Sequence, residues 1–151
     1  MEDLHRYLEE FVEPTIADFE QDPSSVRLAF IACVVTFHAV DYLAHPHRPA
    51  TLGQQWKSKS KAFDIVDDIA HAFKHVKVGN PVNPNLRAKE VVSMPVAWDV
   101  ATFDVSTFDV GSVTLTTDST VNVLNVVKEA AAFARQQLDE ENSQLPADRR
   151  P

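Results

Sequence analysis

Apolar residues in the first half of the chain recur every three or four positions, which is the spacing of helices with one buried face. The first such segment runs from Glu2 to about Gln21. Its apolar positions are Leu4, Leu8, Phe11, Val12, Ile16 and Phe19. Pro14 lies within this segment and should kink or split it, because proline cannot donate the helical backbone hydrogen bond.

Two further helices follow. The second is predicted from about Pro23 to His45, with Asp22 as its cap and Pro23 at its first position. Its apolar residues surround almost the whole circumference, which is typical of a central, buried helix. A proline-containing connection at 46–56 then leads into a third helix, predicted from about Gln55 to Val76.

After residue 90 the apolar residues recur at every second position, which indicates strands. The alternating pairs or triplets are Val96, Trp98 and Val100; Phe103 and Val105; Phe108 and Val110; Val113 and Leu115. Asp118 and Ser119 are expected to cap a last helix from about Thr120 to Glu141. The sequence therefore predicts a mainly α (α+β) fold: about four bundled helices, with a β-hairpin or small meander at about 91–117 inserted before the last one. We expect residues 1–142 to form a single domain and residues 143–151 to form a flexible tail.

Composition narrows the functional classes. A length of 151 residues fits one domain. The formal net charge of −8 disfavours RNA and other phosphate backbones as partners. The single cysteine, Cys33, allows no internal disulfide and is expected to be an inert core thiol. No uninterrupted apolar run reaches about 18 residues, and the acidic N-terminus does not resemble a secretion signal. We therefore expect a cytoplasmic protein without a membrane-spanning helix.

Ionisable residues on the second predicted helix form one line. At about 100° per residue, they fall within roughly 60° of each other. They are Arg27, His38, Asp41 and His45. Because a buried charge is costly unless it is paired, this line must meet water, a partner charge or a ligand. A buried His38–Asp41 pair that orients the helix packing is the expected arrangement.

A similar line of four residues, spaced 4, 3 and 4 apart, runs along the third predicted helix, flanked by Asp67 and Lys74. Its members are Asp64, Asp68, His71 and His75. Because it lies opposite the apolar face, it is expected first of all to be a solvated surface. A salt-bridge network between helices or subunits, and a metal or catalytic centre, are the two alternatives.

The metal alternative requires the two lines to face each other. The six candidate ligands would be His38, Asp41, Asp64, Asp68, His71 and His75. Mixed imidazole and carboxylate ligands suit a divalent metal such as Zn, Fe or Mn. In a metal-dependent hydrolase of this kind, His71 and His75 would bind the metal, an aspartate would complete the shell, and His38 would be a ligand or a base.

Two segments resemble a family of small uncharacterised bacterial proteins. They are Phe37-His-Ala-Val-Asp-Tyr42 and Phe63-Asp-Ile-Val-Asp-Asp-Ile-Ala-His-Ala-Phe-Lys-His75. The resemblance covers roughly residues 25–140, and its most specific parts are Asp68-Ile69-Ala70 and Lys74-His75. That family is in turn similar to the HEPN class of helical domains.

The resemblance implies an up-and-down helical bundle that forms a homodimer, in a phage-defence or toxin–antitoxin setting. Active HEPN proteins are ribonucleases that use an arginine and a histidine separated by four to six intervening residues. Here His75 matches that histidine and is the candidate catalytic residue, but the arginine positions hold Asp68, Ile69 and Ala70. A ribonuclease would therefore lack the cation that stabilises the scissile phosphate. The expected function is a non-enzymatic interaction module with a protein partner.

Overall fold

A computed structural model describes residues 2–75, 91–94, 112–116 and 120–144. The protein is mainly helical, with a small antiparallel sheet that precedes the last helix in sequence. This confirms the predicted fold class.

The first helical segment is continuous but changes its winding. It consists of α1 (Glu2–Tyr7), a π-helical turn (Leu8–Val12) and α2 (Glu13–Gln21). In the π turn the amide of Glu13 donates to the carbonyl of Leu8. Pro14 has no amide to donate to a helical carbonyl, and its ring crowds the preceding turn. The predicted disturbance at Pro14 therefore takes the form of a wide turn just before it.

The central helix α3 (Val26–Ala44) begins later than predicted. Ser25, and not Asp22, is the cap: its side chain accepts a hydrogen bond from the Leu28 amide. Asp22 instead accepts hydrogen bonds from the hydroxyl of Ser24 and the amide of Ser25. The segment between Asp22 and Ser25 is thus a turn, because these short polar side chains satisfy backbone and side-chain donors locally.

The predicted third helix is two helices, α4 (Ala50–Lys59) and α5 (Lys61–His75). Helix therefore begins within the segment expected to be a connection. Ser60 has an extended backbone between the two helices, and its hydroxyl accepts a hydrogen bond from the Phe63 amide. This cap satisfies a first-turn donor of α5 and allows α4 to pack back against α5.

Within the described residues the sheet has three short strands, in the order β1 (Val91–Met94), β2 (Ser112–Thr116) and β3 (Thr120–Asn122). Val91 pairs with Leu115, and Leu115 pairs with Val121. Val113 and Leu115 are buried as their alternation predicts. The strand predictions at 96–110 lie outside the described residues. The amide of Val113 donates to the carbonyl of Pro23 and so joins the sheet to the turn before α3.

The last helix, α6 (Val123–Gln144), begins three residues after the predicted start and reaches into the predicted tail. Thr120–Asn122 is a strand, and Asn122 accepts a hydrogen bond from the Asn125 amide through its side chain. The predicted caps, Asp118 and Ser119, lie outside the described residues. β-Branched Thr120 and Val121 favour the strand, and the helix starts once a side-chain acceptor is available.

Large apolar side chains from several helices fill the core around α3, which packs against α1, α2, α5 and α6. Trp56 and Cys33 are fully buried, which was expected for Cys33, and burial raises the pKa of the Cys33 thiol. The largest fully buried side chains include Trp56, Phe19, Phe63, Leu4, Leu8, Ile69 and Leu138.

By length and composition alone, α3 is also long and apolar enough to cross a membrane, and 33% of this stretch is buried within the chain. The interior helix of a soluble protein meets the same criteria. The expected absence of a membrane-spanning helix therefore stays a prediction.

The cap at Ser60 can be tested by substitution. Ser60→Ala should lower the free energy of unfolding by about 1 kcal/mol, because the Phe63 amide loses its acceptor. Ser58→Ala is the matched control: its exposed hydroxyl bonds a carbonyl one turn back within α4, and it should change stability by less than about 0.5 kcal/mol. Urea unfolding measures both. Equal losses would show that Ser60 is not a helix cap.

Candidate functional site

A surface cleft of about 560 Å³ lies between α1 and the second half of α3. Its lining combines carboxylate, imidazole and phenol groups. We call it the α1–α3 cleft; it is lined by Asp3, Tyr7, His38, Asp41, Tyr42 and His45. Among the described residues, the lining holds two carboxylates and no lysine or arginine, so the cleft favours cationic groups.

Stacked aromatic rings form one wall of the cleft. The ring of Tyr7 lies 4.0 Å from that of Tyr42 and 5.5 Å from that of Phe11, measured between centroids. The Tyr7 hydroxyl donates a hydrogen bond of 2.9 Å to the carbonyl of Val35, which ties α1 to α3. Phe11 and Tyr42 are the large hydrophobic residues that the described part of the chain exposes most, at 52% and 39%.

The environment of Tyr7 suppresses ionisation of its phenol. Burial, followed by the negative charges of Tyr42 and Asp41, raises the pKa of Tyr7 to about 12. The phenol therefore remains a hydrogen-bond donor to Val35 throughout the physiological pH range.

His38 and Asp41 form the pair predicted for the second helix. Nδ1 of His38 lies 2.7 Å from Oδ2 of Asp41. The two side chains are 48% and 40% exposed, so the predicted pairing is present, but the predicted burial is wrong. Arg27 and His45 are exposed as well. The polar line of α3 therefore faces outward, where solvent or a partner can meet it.

The polar line of α5 is only in part the solvated surface that was first expected, since the side chains of Asp64 and His71 are 26% and 38% exposed. Asp67 and Asp68 are 7% and 6% exposed. The Asp67 carboxylate contacts Nζ of Lys57 on α4, and its other oxygen lies 3.1 Å from Nδ1 of His71. Asp64 lies 3.7 Å from Lys57 and 2.7 Å from Lys61. The structure thus realises the salt-bridge alternative, within one chain and between α4 and α5.

Lys57 is the centre of this network. Burial alone would lower the pKa of its ammonium group, but the hydrogen bond to Asp67 and the charges of Asp67, Asp68 and Asp64 outweigh burial and raise it. Lys57 therefore stays charged and compensates the carboxylates that α5 buries. A buried carboxylate without such a partner would cost several kcal/mol.

Two cavities lie along the contact between α3 and α5. The larger, about 210 Å³, includes Asp41, Lys57, Asp67 and His71 in its lining. The smaller, about 180 Å³, is lined by Phe30, Val34, Phe37, His38, Ala70 and His71. The two predicted lines therefore meet in part, because His71 shares one cavity with Asp41 and the other with His38.

The six candidate metal ligands are nevertheless divided among different partners. Phe37 packs against both imidazoles, with its ring centroid 5.1 Å from that of His38 and 5.1 Å from that of His71. Asp64 is directed to Lys57 and Lys61. The side chain of His75 lies outside the described residues. Within the described ranges, no group of three or more His, Cys, Asp or Glu side chains is arranged to hold a metal ion.

Lys57 and Asp67 are central residues of this network. From the sequence, Asp67 was placed only beside the polar line of the third predicted helix, and Lys57 was not among the candidate site residues. In one continuous helix they would lie ten residues, or about 15 Å, apart along the axis. The break at Ser60 brings them together. The serine three residues before the Phe63 amide was an available signal for a helix start. The contact of Tyr7 with Tyr42 had no comparable sequence signal.

No family model matches the chain, and comparisons with curated proteins and with solved structures find no significant match.

Removal of the Lys57 charge should be strongly destabilising. We expect Lys57→Met to lower the free energy of unfolding by about 3 kcal/mol, because Asp67 would stay buried without its cation. Lys61→Met is the matched control, since Lys61 pairs with Asp64 from a side chain that is 77% exposed; its loss should be below about 1 kcal/mol. Urea unfolding near neutral pH would refute this role of Lys57 if the two losses were equal.

The chain has two tyrosines, so phenol ionisation can be assigned. Absorbance titration should show one phenol ionisation at pH about 12, and this transition should be absent in Tyr7→Phe. An unfolded tyrosine ionises near pH 10. The contribution of Tyr7 to stability is therefore complete below pH 10 and is lost as the pH rises towards 12. Circular dichroism should be recorded in parallel. If the protein stays folded and the transition that Tyr7→Phe removes lies near pH 10, the burial of Tyr7 described above would be contradicted.

Proposed function

We propose that this protein is a non-enzymatic, HEPN-like interaction module that acts as a homodimer in the cytoplasm and binds a protein partner. The observation that carries the proposal is an inversion of side-chain size on α3. The buried side of α3 consists mostly of small residues: Ala29, Ala32, Cys33, Thr36, Ala39, Val40 and Ala44. The larger Phe30, Ile31 and Val34 are only partly buried. Phe30 packs on one side against Phe73 of α5, and Val34 packs on one side against the core.

This inversion is unusual for a helix that serves only its own core. Large aliphatic and aromatic side chains gain the most from burial, at about 25 cal/mol per Å² of apolar surface. A helix that turns alanines inward and leaves Ile31 and Val34 partly exposed forgoes part of that gain within one chain. A second molecule that covers the outer face of α3 would recover it.

Charge and sequence support the choice of partner. With 14 basic and 22 acidic residues, the chain is a poor match for a nucleic-acid backbone. The resemblance of residues 37–42 and 63–75 to HEPN-like proteins supports a dimeric bundle in phage defence or in a toxin–antitoxin pair. The division of the candidate ligands between Lys57, Phe37 and solvent favours an interaction role over metal-dependent hydrolysis.

Sedimentation velocity tests the homodimer. Wild-type protein should sediment as a dimer at micromolar concentration, and Val34→Glu should be monomeric, because it places a charge in the apolar interface. Leu52→Glu is the control, since Leu52 is also a partly buried aliphatic residue but lies on α4; we expect it to remain dimeric if it folds. Circular dichroism establishes folding for both variants. A wild-type monomer at high micromolar concentration would refute the proposal.

A further inference from the structure

Polar and apolar residues on the outer face of α3 are arranged symmetrically about Val34. Arg27 and Asp41 lie seven residues before and after it. Because seven residues are close to two helical turns, all three fall on one face, within about 40° of each other. Phe30 and His38 lie four residues before and after Val34, on either side of that face. A face that carries opposite charges at equal distances from its centre is complementary to its own antiparallel copy.

We propose that two copies of the chain pair their α3 helices in antiparallel orientation about Val34, so that Arg27 of each copy enters the α1–α3 cleft of the other and pairs with the partner's Asp41. This inference rests on the proposed homodimer and specifies its interface. A twofold axis at Val34 places each Arg27 opposite the partner's Asp41. The same axis places Phe30 opposite the partner's His38 and Val34 opposite the partner's Val34.

The cleft has the chemistry to receive a guanidinium group. Oδ2 of Asp41 is held by His38 at 2.7 Å, which leaves Oδ1 as the oxygen that an arginine would approach. Asp3 provides a second carboxylate, and Tyr42 provides an aromatic ring that is 39% exposed. Arginine favours this combination, because its planar group both stacks on aromatic rings and donates to carboxylates.

Arg27 is available for such a contact. It is exposed, and within the described residues it forms no ion pair or hydrogen bond with another side chain. It is one of two charged residues on the nearly apolar helix α3, and the other is Asp41. The pairing would thus satisfy both charges of the helix at the interface that covers its apolar side chains.

Cysteine cross-linking tests the geometry. The native cysteine is buried, so an introduced thiol should react selectively. Val34→Cys should give a covalent dimer on mild oxidation, because a residue on the twofold axis lies beside its own copy. Arg27→Cys alone should not, since the two copies of position 27 would be about 21 Å apart. An equimolar mixture of Arg27→Cys and Asp41→Cys should cross-link. Cross-linking of Arg27→Cys with itself would indicate parallel helices and overturn the proposal.

Charge exchange tests the ion pair. Arg27→Glu and Asp41→Arg should each weaken dimerisation by about tenfold or more, because each places like charges opposite one another. The double variant should recover an affinity close to that of the wild type. As a control for net charge, Asp18→Asn on α2 should leave the affinity unchanged. Circular dichroism identifies any charge variant that fails to fold. The cross-linking experiments use different variants, so they remain informative in that case.

The outcomes separate this inference from the proposed function. A wild-type dimer in which Val34→Cys fails to cross-link, or in which the double charge variant shows no recovery, would overturn the antiparallel pairing and leave the homodimer standing. A wild-type monomer would remove both. Cross-linking at position 34 together with recovery in the double variant would establish the pairing.

Discussion

The close packing of α3 through small side chains is the constraint on which the rest of the structure depends. Alanines on the inner side of α3 allow α5 and α6 to approach closely, while bulky residues from the surrounding helices, such as Phe63, fill the core. Space in an interior of ordinary packing density is limited, so the larger Phe30, Ile31 and Val34 lie at the edge of the core and are only partly buried. Phe30 packs against Phe73 of α5, and Val34 packs against the core. The apolar outer face of α3 therefore follows from the way in which its inner face packs.

The second constraint is electrostatic and concerns α5. This helix is enclosed on most sides, yet it carries Asp64, Asp67 and Asp68. Lys57 offsets the cost of burying these carboxylates, because its ammonium group lies among all three. That placement requires α4 to turn back onto α5 at Ser60. The short break between the two helices is thus coupled to the stability of the acidic side of the bundle.

The sequence predicts the elements better than it predicts their ends and their partners. Periodicity located the helices and the burial of Val113 and Leu115, because one buried face imposes a fixed repeat. The helix starts were displaced at Ser25, Ser60 and Asn122, since in each case a local side-chain acceptor determines the first turn. These acceptors compete with similar residues nearby in the sequence, so the choice between them depends on the tertiary fold.

The candidate site shows the same contrast between features that the sequence predicts and features that depend on the tertiary fold. Residues His38 and Asp41 could be paired from their spacing on one helix, whereas their exposure could not be known before the neighbours of α3 were placed. For α5 a polar line opposite an apolar face predicts solvent, but the fold covers part of that side with α4, through the contact of Lys57 with Asp67. Contacts within a helix follow from its period, while contacts between helices depend on loop geometry. The Lys57–Asp67 pair belongs to the second kind.

The two polar lines consequently serve different purposes. The line on α5 is neutralised within the chain and stabilises the bundle through Lys57. The line on α3 is held at the surface, with Asp41 oriented by His38 and with Arg27 seven residues before the midpoint at Val34. An isolated domain gains little from charges kept at fixed positions on an exposed apolar helix, because surface charges contribute little to stability. A dimer gains a defined register from them, because only one antiparallel alignment satisfies both pairs. The placement of the charges on α3 therefore supports the proposed dimer.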